Sequence, residues 1–312
     1  MKRVTGSAHM MSKAVISGAI AAILASGCLK LDPFLFKGKE VAEYRFDFYT
    51  GEGECVDAID SLGGINPSYI HEMRLSSGSD SIAAVLVASA AAFDSTDTLV
   101  LYFHGTGPHI DYYWARTRLL AAAGFPVLTI DYRGYGTSTG KPTETGIYED
   151  GRAAMRCIRE MLGNPRVVVY GYSLGTLVAC EIAANDPDGG IVALVLEGPI
   201  GKLETLVQDA AYIDLPGSYV ITYEGNNREK IRNVFVPLLW LHGTDDETNT
   251  YETNGKKLYE NYPGEQGFCC IVEGANHRTV PSTIGYSAYI GGIGDFIHGS
   301  AAANPLFARE PD

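Results

Sequence analysis

The apolar residues of the chain fall into short continuous runs that alternate with longer segments in which apolar residues recur every three or four positions. A short continuous run is typical of a strand buried on both faces, and the longer periodicity is typical of a helix. Strands are predicted at 70–75, 81–87, 98–103, 127–131, 166–170, 193–196, 237–241 and 268–272. Helices are predicted at 114–123, 147–162, 176–184, 251–259 and 286–297. The alternation predicts an α/β fold with a mostly parallel central sheet and helices on both faces.

The residues before the first of these strands carry a different pattern. Residues 29–65 read as an extended lead-in, and aromatic residues alternate over 44–49. Alternation of this kind predicts an early strand, or an arm that packs on the body of the domain.

The N-terminus has the features of an export signal. A lysine, an apolar run over 14–25 and two small residues precede Cys28, and the run is too short to span a bilayer comfortably. Residues 25–28 also resemble a bacterial lipoprotein signal, in which Cys28 becomes the lipidated first residue, although that pattern prefers Leu where this chain has Ala25. Residues 1–28 are therefore predicted to be a signal, and the protein to be secreted, periplasmic or membrane-anchored through Cys28, with a cytoplasmic protein as the remaining alternative. A second plausible start at residue 10 or 11 leaves open whether 1–10 are native.

Composition narrows the function classes. With 312 residues, 46% of them hydrophobic, the chain can bury a large core, and one α/β domain over 29–312 accounts for the pattern. The formal net charge of −13 and the lack of a basic stripe disfavour nucleic acids and acidic membrane surfaces as partners. The six cysteines have no CxxC spacing, so neither a zinc site nor a disulfide framework is predicted, and Cys157 and Cys180 are expected to be small buried residues.

The strongest chemical signal is the pentapeptide Gly-Tyr-Ser-Leu-Gly at 171–175, between a predicted strand and a predicted helix. A strand that reverses sharply into a helix needs residues without bulk on both sides of the turn, which explains the two glycines. Ser173 is then held in strained geometry with its hydroxyl exposed, and the helix N-terminus behind it favours developing negative charge. The motif predicts that Ser173 is a nucleophile.

A serine nucleophile needs a base and an acid, expected along the chain in the order Ser, acid, His. His277 and His298 are the histidines that follow a suitable acid. His277 comes directly after the strand at 268–272. His298 lies at the end of the last helix, where a favourable interaction with the helix dipole explains a histidine, so His277 is preferred as the base. The acid is expected after the preceding strand. The candidates there are Asp245, Asp246 and Glu247.

Acyl transfer also requires two backbone N–H donors aimed at the oxyanion. One is expected from Leu174, the residue after the nucleophile. The other is expected from Thr106, in the glycine-rich loop 104–107 that follows the strand at 98–103. This mechanism needs neither a metal nor an organic cofactor.

These motifs occur in the order seen in the α/β-hydrolase superfamily, and the chain is similar to its small-cap branch, which includes monoacylglycerol lipases and protein depalmitoylases. The motifs are His-Gly-Thr-Gly at 104–107, the segment 131–136, the pentapeptide 171–175, the segment 242–246 and Gly-Ala-Asn-His at 274–277. The resemblance covers about residues 70–300. It implies an α/β-hydrolase fold, selects Asp246 as the acid and gives Arg133 a structural role. Residues 1–65 have no counterpart in it.

The resemblance also implies a cap insertion over 198–236. A segment of about 35 residues forms at most a few short helices, so a small roof over the acyl pocket is expected. Its candidate apolar residues are Leu203, Val207, Ala210, Tyr212, Leu215 and 219–223.

Together, these residues predict a serine hydrolase that cleaves carboxylic esters of small molecules through an acyl-enzyme on Ser173. A thioesterase, an amidase or a peptidase with the same triad remains open. The alternative from another class is a non-catalytic binding protein of the same fold, but such proteins usually lack a triad member.

The lipoprotein prediction concerns the mature N-terminus. If Cys28 is lipidated, the protein purified from bacterial membranes should begin at Cys28 and carry the mass of an acylated glyceryl group, and Cys28→Ser should release it from the membrane fraction. Intact-mass spectrometry measures the position of the mature N-terminus and the added mass, and membrane fractionation measures the release. A mature protein whose mass lacks the acyl-glyceryl increment would refute lipidation and favour ordinary secretion.

Overall fold

The computed structural model describes residues 35–88, 98–163, 165–186, 189–206 and 221–311. Its strands are β1 Ile70–Ser77, β2 Asp80–Val87, β3 Thr98–Phe103, β4 Val127–Ile130, β5 Arg166–Tyr172, β6 Ile191–Glu197, β7 Leu238–Gly243 and β8 Gly267–Val272. Its α-helices are α1 Val56–Leu62, α2 Trp114–Ala122, α3 Glu144–Met161, α4 Gly175–Ala184, α5 Asn227–Lys230, α6 Lys257–Tyr259, α7 Val280–Ile284 and α8 Tyr286–Ile297. Short 3-10 helices lie at Phe46–Phe48, Pro67–Tyr69, Ile110–Tyr113, Ile231–Asn233 and Ala301–Ala303, and a π-helical turn at Tyr251–Lys256.

The strands form one eight-stranded sheet in the order β1-β2-β4-β3-β5-β6-β7-β8. β2 pairs with β1 and β4 in antiparallel orientation, and the pairs from β4 through β8 are parallel. The predicted mostly parallel sheet is confirmed. Because parallel strands end at the same edge, the segments after β3, β5, β7 and β8 emerge together, and these segments carry the predicted site residues.

Alternate residues of the central strands pack on opposite faces of the sheet. On β3, Leu99 and Leu101 belong to the apolar core that includes residues of α3 and α4. Val100 and Tyr102 belong to the core that includes residues of α2 and α8. This period of two, with apolar residues on both sides, is why the strand reads as an unbroken apolar run.

Residues 35–69, called the N-terminal arm below, pack on the body of the domain without adding a strand to the sheet. The strand predicted at 44–49 is wrong, and a 3-10 helix at Phe46–Phe48 takes its place. The physical reason is the carboxylate of Asp111, whose two oxygens accept the backbone N–H groups of Arg45 and Phe46, each at 2.8 Å. These donors are therefore satisfied by a side chain and not by a neighbouring strand.

Two helix predictions also need correction. α3 begins at Glu144 and not at 147, because the Thr143 hydroxyl caps it by accepting the Gly146 N–H at 3.1 Å. The helix predicted at 251–259 is a wide π-helical turn followed by the short α6, and the turn brings Gly255 against the rings of Trp240 and His242.

The described cysteines are all free, and Cys157 and Cys180 are buried as predicted. None of the helices in the described ranges is long and apolar enough to cross a membrane. The predicted signal at 1–28 and Cys28 lie outside the described residues.

Candidate active site

Ser173 occupies a sharp turn between β5 and α4. Its φ is +52°, in the left-handed region that residues other than glycine seldom adopt. A Cβ at Gly175 would overlap the carbonyl oxygen of Phe103, and a Cβ at Gly171 would lie 2.7 Å from the Ala179 Cβ. The two glycines therefore allow the turn to pack against β3 and α4, for the steric reason expected from the motif.

The three side chains predicted as nucleophile, base and acid form one hydrogen-bonded line. The Ser173 hydroxyl lies 2.8 Å from Nε2 of His277, and Nδ1 of His277 lies 2.7 Å from Oδ2 of Asp246. A carboxylate only accepts, so Nδ1 of His277 carries the proton and Nε2 is free to accept the serine proton. Asp245 and Glu247 are exposed, so Asp246 is the carboxylate that meets His277. The catalytic roles of these residues stay predictions.

Asp246 is surrounded by donors. Oδ1 accepts the backbone N–H groups of Thr248 at 2.9 Å and Asn249 at 2.8 Å. Burial by itself raises the pKa of Asp246, but the hydrogen bonds from His242 and His277 outweigh it and hold the pKa well below the ordinary 3.8. The group is therefore an ionised carboxylate throughout the neutral range, as an acid that orients a histidine must be.

A tryptophan fixes the tautomer of His242, which also faces Asp246. The indole N–H of Trp240 donates to Nδ1 of His242 at 3.0 Å. Because an indole only donates, Nδ1 of His242 is unprotonated and Nε2 carries the hydrogen. Nε2 lies 2.7 Å from the carbonyl oxygen of Asn249 and 3.3 Å from Oδ2 of Asp246. His242 is thus a neutral donor that stabilises the acid and the segment after β7.

The segment after β6 completes the surroundings of His277. Gly198 has φ +51°, and a Cβ there would lie 3.0 Å from Cε1 of His277. The carbonyl oxygen of Gly198 accepts a hydrogen bond from the side chain of Asn249 at 2.6 Å. A glycine at this position leaves the space that the imidazole occupies.

The two predicted oxyanion donors belong to segments that lie close to Ser173. Leu174 follows it in the chain, and the loop that carries Thr106 lies close, since a Cβ at Gly105 would be 3.2 Å from the Ser173 Cβ. The backbone N–H groups of Thr106 and Leu174 have no acceptor among the described residues. By contrast, the N–H of Gly107 donates to the Tyr113 hydroxyl at 2.7 Å. Within the described residues, the two N–H groups that the motif selects are therefore not engaged in other hydrogen bonds.

The loop 104–107 is held both by buried side chains of the domain and by the N-terminal arm. His104 is fully buried, lies 2.9 Å from Asp131 and stacks on the Tyr113 ring with centroids 4.9 Å apart. The Thr106 hydroxyl donates to the carbonyl oxygen of Leu35, in the N-terminal arm, at 2.6 Å. These contacts fix the backbone of the loop before any ligand arrives.

A buried ionic cluster beside the site was missed by the sequence reasoning. The guanidinium of Arg116 is fully buried and pairs with Glu197 at 2.6 Å and with Glu54 at 3.1 Å. The hydroxyl of Tyr172, the residue before Ser173, donates to Glu54 at 3.0 Å. One signal was available for Tyr172, its place inside the pentapeptide. Glu54 has no such signal, because it lies far from the motifs in the chain.

Part of the predicted cap is described. Leu203 and Ile221 are buried in the core that also contains Leu174, and Tyr223 meets Phe36 of the N-terminal arm edge to face, with centroids 5.7 Å apart. The other predicted apolar cap residues, Val207, Ala210, Tyr212, Leu215, Tyr219 and Val220, lie outside the described residues.

Acidic and basic side chains also meet away from this site. Across the described ranges, no three or more His, Cys, Asp or Glu side chains come together in a way that could hold a metal ion. Arg133, given a structural role by the resemblance, lies beside Asp80, Glu149 and Asp150 at 3.4, 2.9 and 2.9 Å. Its contacts are with carboxylates of the scaffold and not with the site.

Known proteins agree with this architecture. A family model described as alpha/beta hydrolase fold matches residues 98–215. An esterase of known structure from Pyrococcus furiosus superposes with a TM-score of 0.62 at 18% identity, over 84% of this chain and 98% of that chain. The chain has the α/β-hydrolase fold. At this identity the likeness to the esterase shows the fold alone.

Curated relatives with higher sequence identity match a part of this chain. Human protein ABHD12B is 33% identical over 186 residues, which are 54% of this chain and 51% of the relative. The lysophosphatidylserine lipase ABHD12 of Danio rerio is 30% identical over 189 residues, 54% of this chain and 48% of the relative. The chain thus spans about half the length of these relatives.

The environment of Asp246 predicts a pH-dependent loss of stability in Asp246→Asn. The pKa of Asp246 is lower in the folded protein than in the unfolded chain, where it is about 3.9, so the ionised form stabilises the fold above that pH. This contribution disappears as the pH falls through the folded value. By urea denaturation, the difference in unfolding free energy between wild type and variant should shrink by about 1 kcal/mol from pH 7 to pH 3.

The matched control is Asp245→Asn, which removes an exposed carboxylate from the same segment. It should change the unfolding free energy by less than about 0.5 kcal/mol at either pH. An Asp246→Asn difference that is the same at pH 7 and pH 3 would contradict the assigned environment.

Proposed function

We propose that this α/β hydrolase is a serine hydrolase that cleaves carboxylic esters of small molecules through an acyl-enzyme on Ser173. One observation carries the proposal. The hydrogen-bonded line from Ser173 through His277 to Asp246 lies beside the backbone N–H groups of Thr106 and Leu174, for which no described residue is an acceptor. A nucleophile with its base and an oxyanion site are the parts that acyl transfer requires.

In the first half of the proposed reaction, Oγ of Ser173 attacks the ester carbonyl carbon while Nε2 of His277 takes the hydroxyl proton. The carbonyl oxygen becomes negatively charged and accepts hydrogen bonds from the N–H groups of Thr106 and Leu174. The intermediate then collapses, the bond to the alcohol oxygen breaks, and the imidazolium returns the proton to the leaving alcohol. Ser173 is left as an acyl ester.

In the second half, water attacks the acyl ester and gives a proton to Nε2 of His277. The second oxyanion forms at the same N–H groups and collapses to release the carboxylic acid and the free serine. Asp246 holds the imidazole in the tautomer that both halves need and stabilises its cationic form, since the carboxylate stays ionised.

Esters are preferred as the substrate class because the relative from Danio rerio is named as a lipase, which is an ester-cleaving protein. The similarity to small-cap lipases noted from the sequence supports the same class. A thioester or amide substrate would use the same groups and is distinguished by the experiment below.

Ser173→Ala tests the proposed nucleophile. Without the hydroxyl, turnover of chromogenic esters should fall by a factor of about 10⁴ or more, and labelling by a fluorophosphonate probe should disappear. Ser282→Ala removes an exposed serine hydroxyl near the histidine and should leave both measurements unchanged. A folded wild-type protein that neither labels nor hydrolyses any ester would contradict the proposal.

The same assay, run with esters from acetyl to palmitoyl and with matched thioesters and amides, measures the substrate class. Faster turnover of esters than of amides is the expected result. If amides outran esters, the proposed class would be wrong.

A further inference from the structure

One carboxylate of the N-terminal arm, that of Glu54, is buried in the body of the protein next to the site. Glu54 is 4% exposed, and its carboxylate accepts hydrogen bonds from the Tyr172 hydroxyl at 3.0 Å and from Arg116 at 3.1 Å. Its backbone N–H donates to the carbonyl oxygen of Tyr112 at 2.9 Å. The next residue, Cys55, has φ +54°, a strained conformation for a residue with a side chain. The turn that places Glu54 is therefore held by several contacts.

Tyr172 connects this carboxylate to the proposed base. Its ring stacks on the imidazole of His277, with centroids 5.3 Å apart and an interplanar angle of 28°. Its hydroxyl lies 3.0 Å from the backbone carbonyl oxygen of His277. Burial raises the pKa of Tyr172 well above 10, so the hydroxyl keeps its hydrogen as a donor. Both the ring and the main chain of His277 therefore contact Tyr172.

Arg116 fixes Tyr172 from another direction. Its guanidinium carbon lies 3.9 Å from the centroid of the Tyr172 ring, and the group is held by Glu54 and Glu197. Removal of Glu54 leaves a fully buried guanidinium with one of its two carboxylates and removes an acceptor from the Tyr172 hydroxyl. The Tyr172 ring that stacks on the imidazole of His277, and the Tyr172 hydroxyl beside the His277 carbonyl oxygen, are then held less firmly.

We propose that Glu54 is a positioning residue for His277, acting through Tyr172 and Arg116 to hold the imidazole in line with Ser173. The inference rests on the proposed function, because the position of His277 matters for turnover only if His277 is the base. It gives the arm, which has no counterpart in the superfamily resemblance, a part in the reaction. A shift of a reacting group by about 1 Å is enough to lower a rate a hundredfold.

Glu54→Ala should lower kcat about tenfold and change KM by less than about twofold, because Glu54 is buried and presents almost no surface to a substrate. Glu54→Gln should keep at least about half of the wild-type kcat, since its amide can accept from Arg116 and donate to the Tyr172 hydroxyl, whose hydrogen then faces His277. Steady-state kinetics on a chromogenic ester, at a temperature where every variant is folded, measures both constants.

Tyr172→Phe removes the hydroxyl and keeps the ring, and it should lower kcat several-fold with little change in KM. If Glu54 acts through Tyr172, then Glu54→Ala should cause a much smaller loss of kcat in the Tyr172→Phe protein than in wild type. Independent, multiplying losses would overturn the inference. So would a wild-type kcat in Tyr172→Phe, whether or not Glu54→Ala folds.

Asp47→Ala is the matched control. Asp47 is another carboxylate of the arm, which accepts from the Trp114 indole at 2.8 Å and pairs with Arg118 at 3.1 Å, away from Tyr172. It should lower the unfolding temperature and leave kcat within about twofold of wild type. An equal loss of kcat in Asp47→Ala and Glu54→Ala would mean that docking of the arm in general matters, and the specific role of Glu54 would be wrong.

Fluorophosphonate labelling of the wild-type protein separates the two failures. If the wild type neither labels nor turns over esters, the proposed function itself fails. If it does both and the Glu54 variants match its kcat, the positioning role alone is overturned.

Discussion

The turn at Ser173 is so tight that the strands and the helix packed against it can adopt few other arrangements. Ser173 has φ +52°, and Gly175 lies where any Cβ would overlap the carbonyl oxygen of Phe103. A left-handed conformation in a residue other than glycine costs about 1–3 kcal/mol and persists when its surroundings fix it. Here β3, β5 and α4 supply that support. The hydroxyl projects beyond the carboxyl edge of the sheet, where the loops that follow the other parallel strands also lie.

Everything else in the site is arranged with respect to that hydroxyl. The loop after β8 brings His277 to 2.8 Å from it, and the segment after β7 brings Asp246 to the far side of the imidazole. Each group is in turn held by neighbours that leave it little freedom, such as the backbone donors on Asp246. Preorganisation of this kind lets dipoles and charges act on a developing oxyanion without rearrangement during the reaction.

The sequence was most informative about features that depend on residues close together in the chain. Glycines around Ser173 report a turn with no room for side chains, and His277 could be found from spacing and order because it follows a buried strand. Spacing and order left three carboxylates open at 245–247, and only the resemblance selected Asp246. The strand at 44–49 was mispredicted because Asp111, in a 3-10 helix distant in sequence, accepts the hydrogen bonds of its backbone N–H groups. Glu54 was missed for the same reason, because a buried carboxylate gains its partners only when the arm folds onto the body.

The central claim is that Ser173, its base and two backbone donors form one preorganised site. A crystal structure of the protein with a phosphonate bonded to Oγ of Ser173 tests it most directly, since the phosphonyl oxygen stands in for the oxyanion. The account predicts that this oxygen lies about 2.7–3.1 Å from the backbone nitrogens of Thr106 and Leu174, with His277 still bonded to Asp246. A phosphonyl oxygen turned away from both nitrogens, or an adduct on another residue, would contradict it.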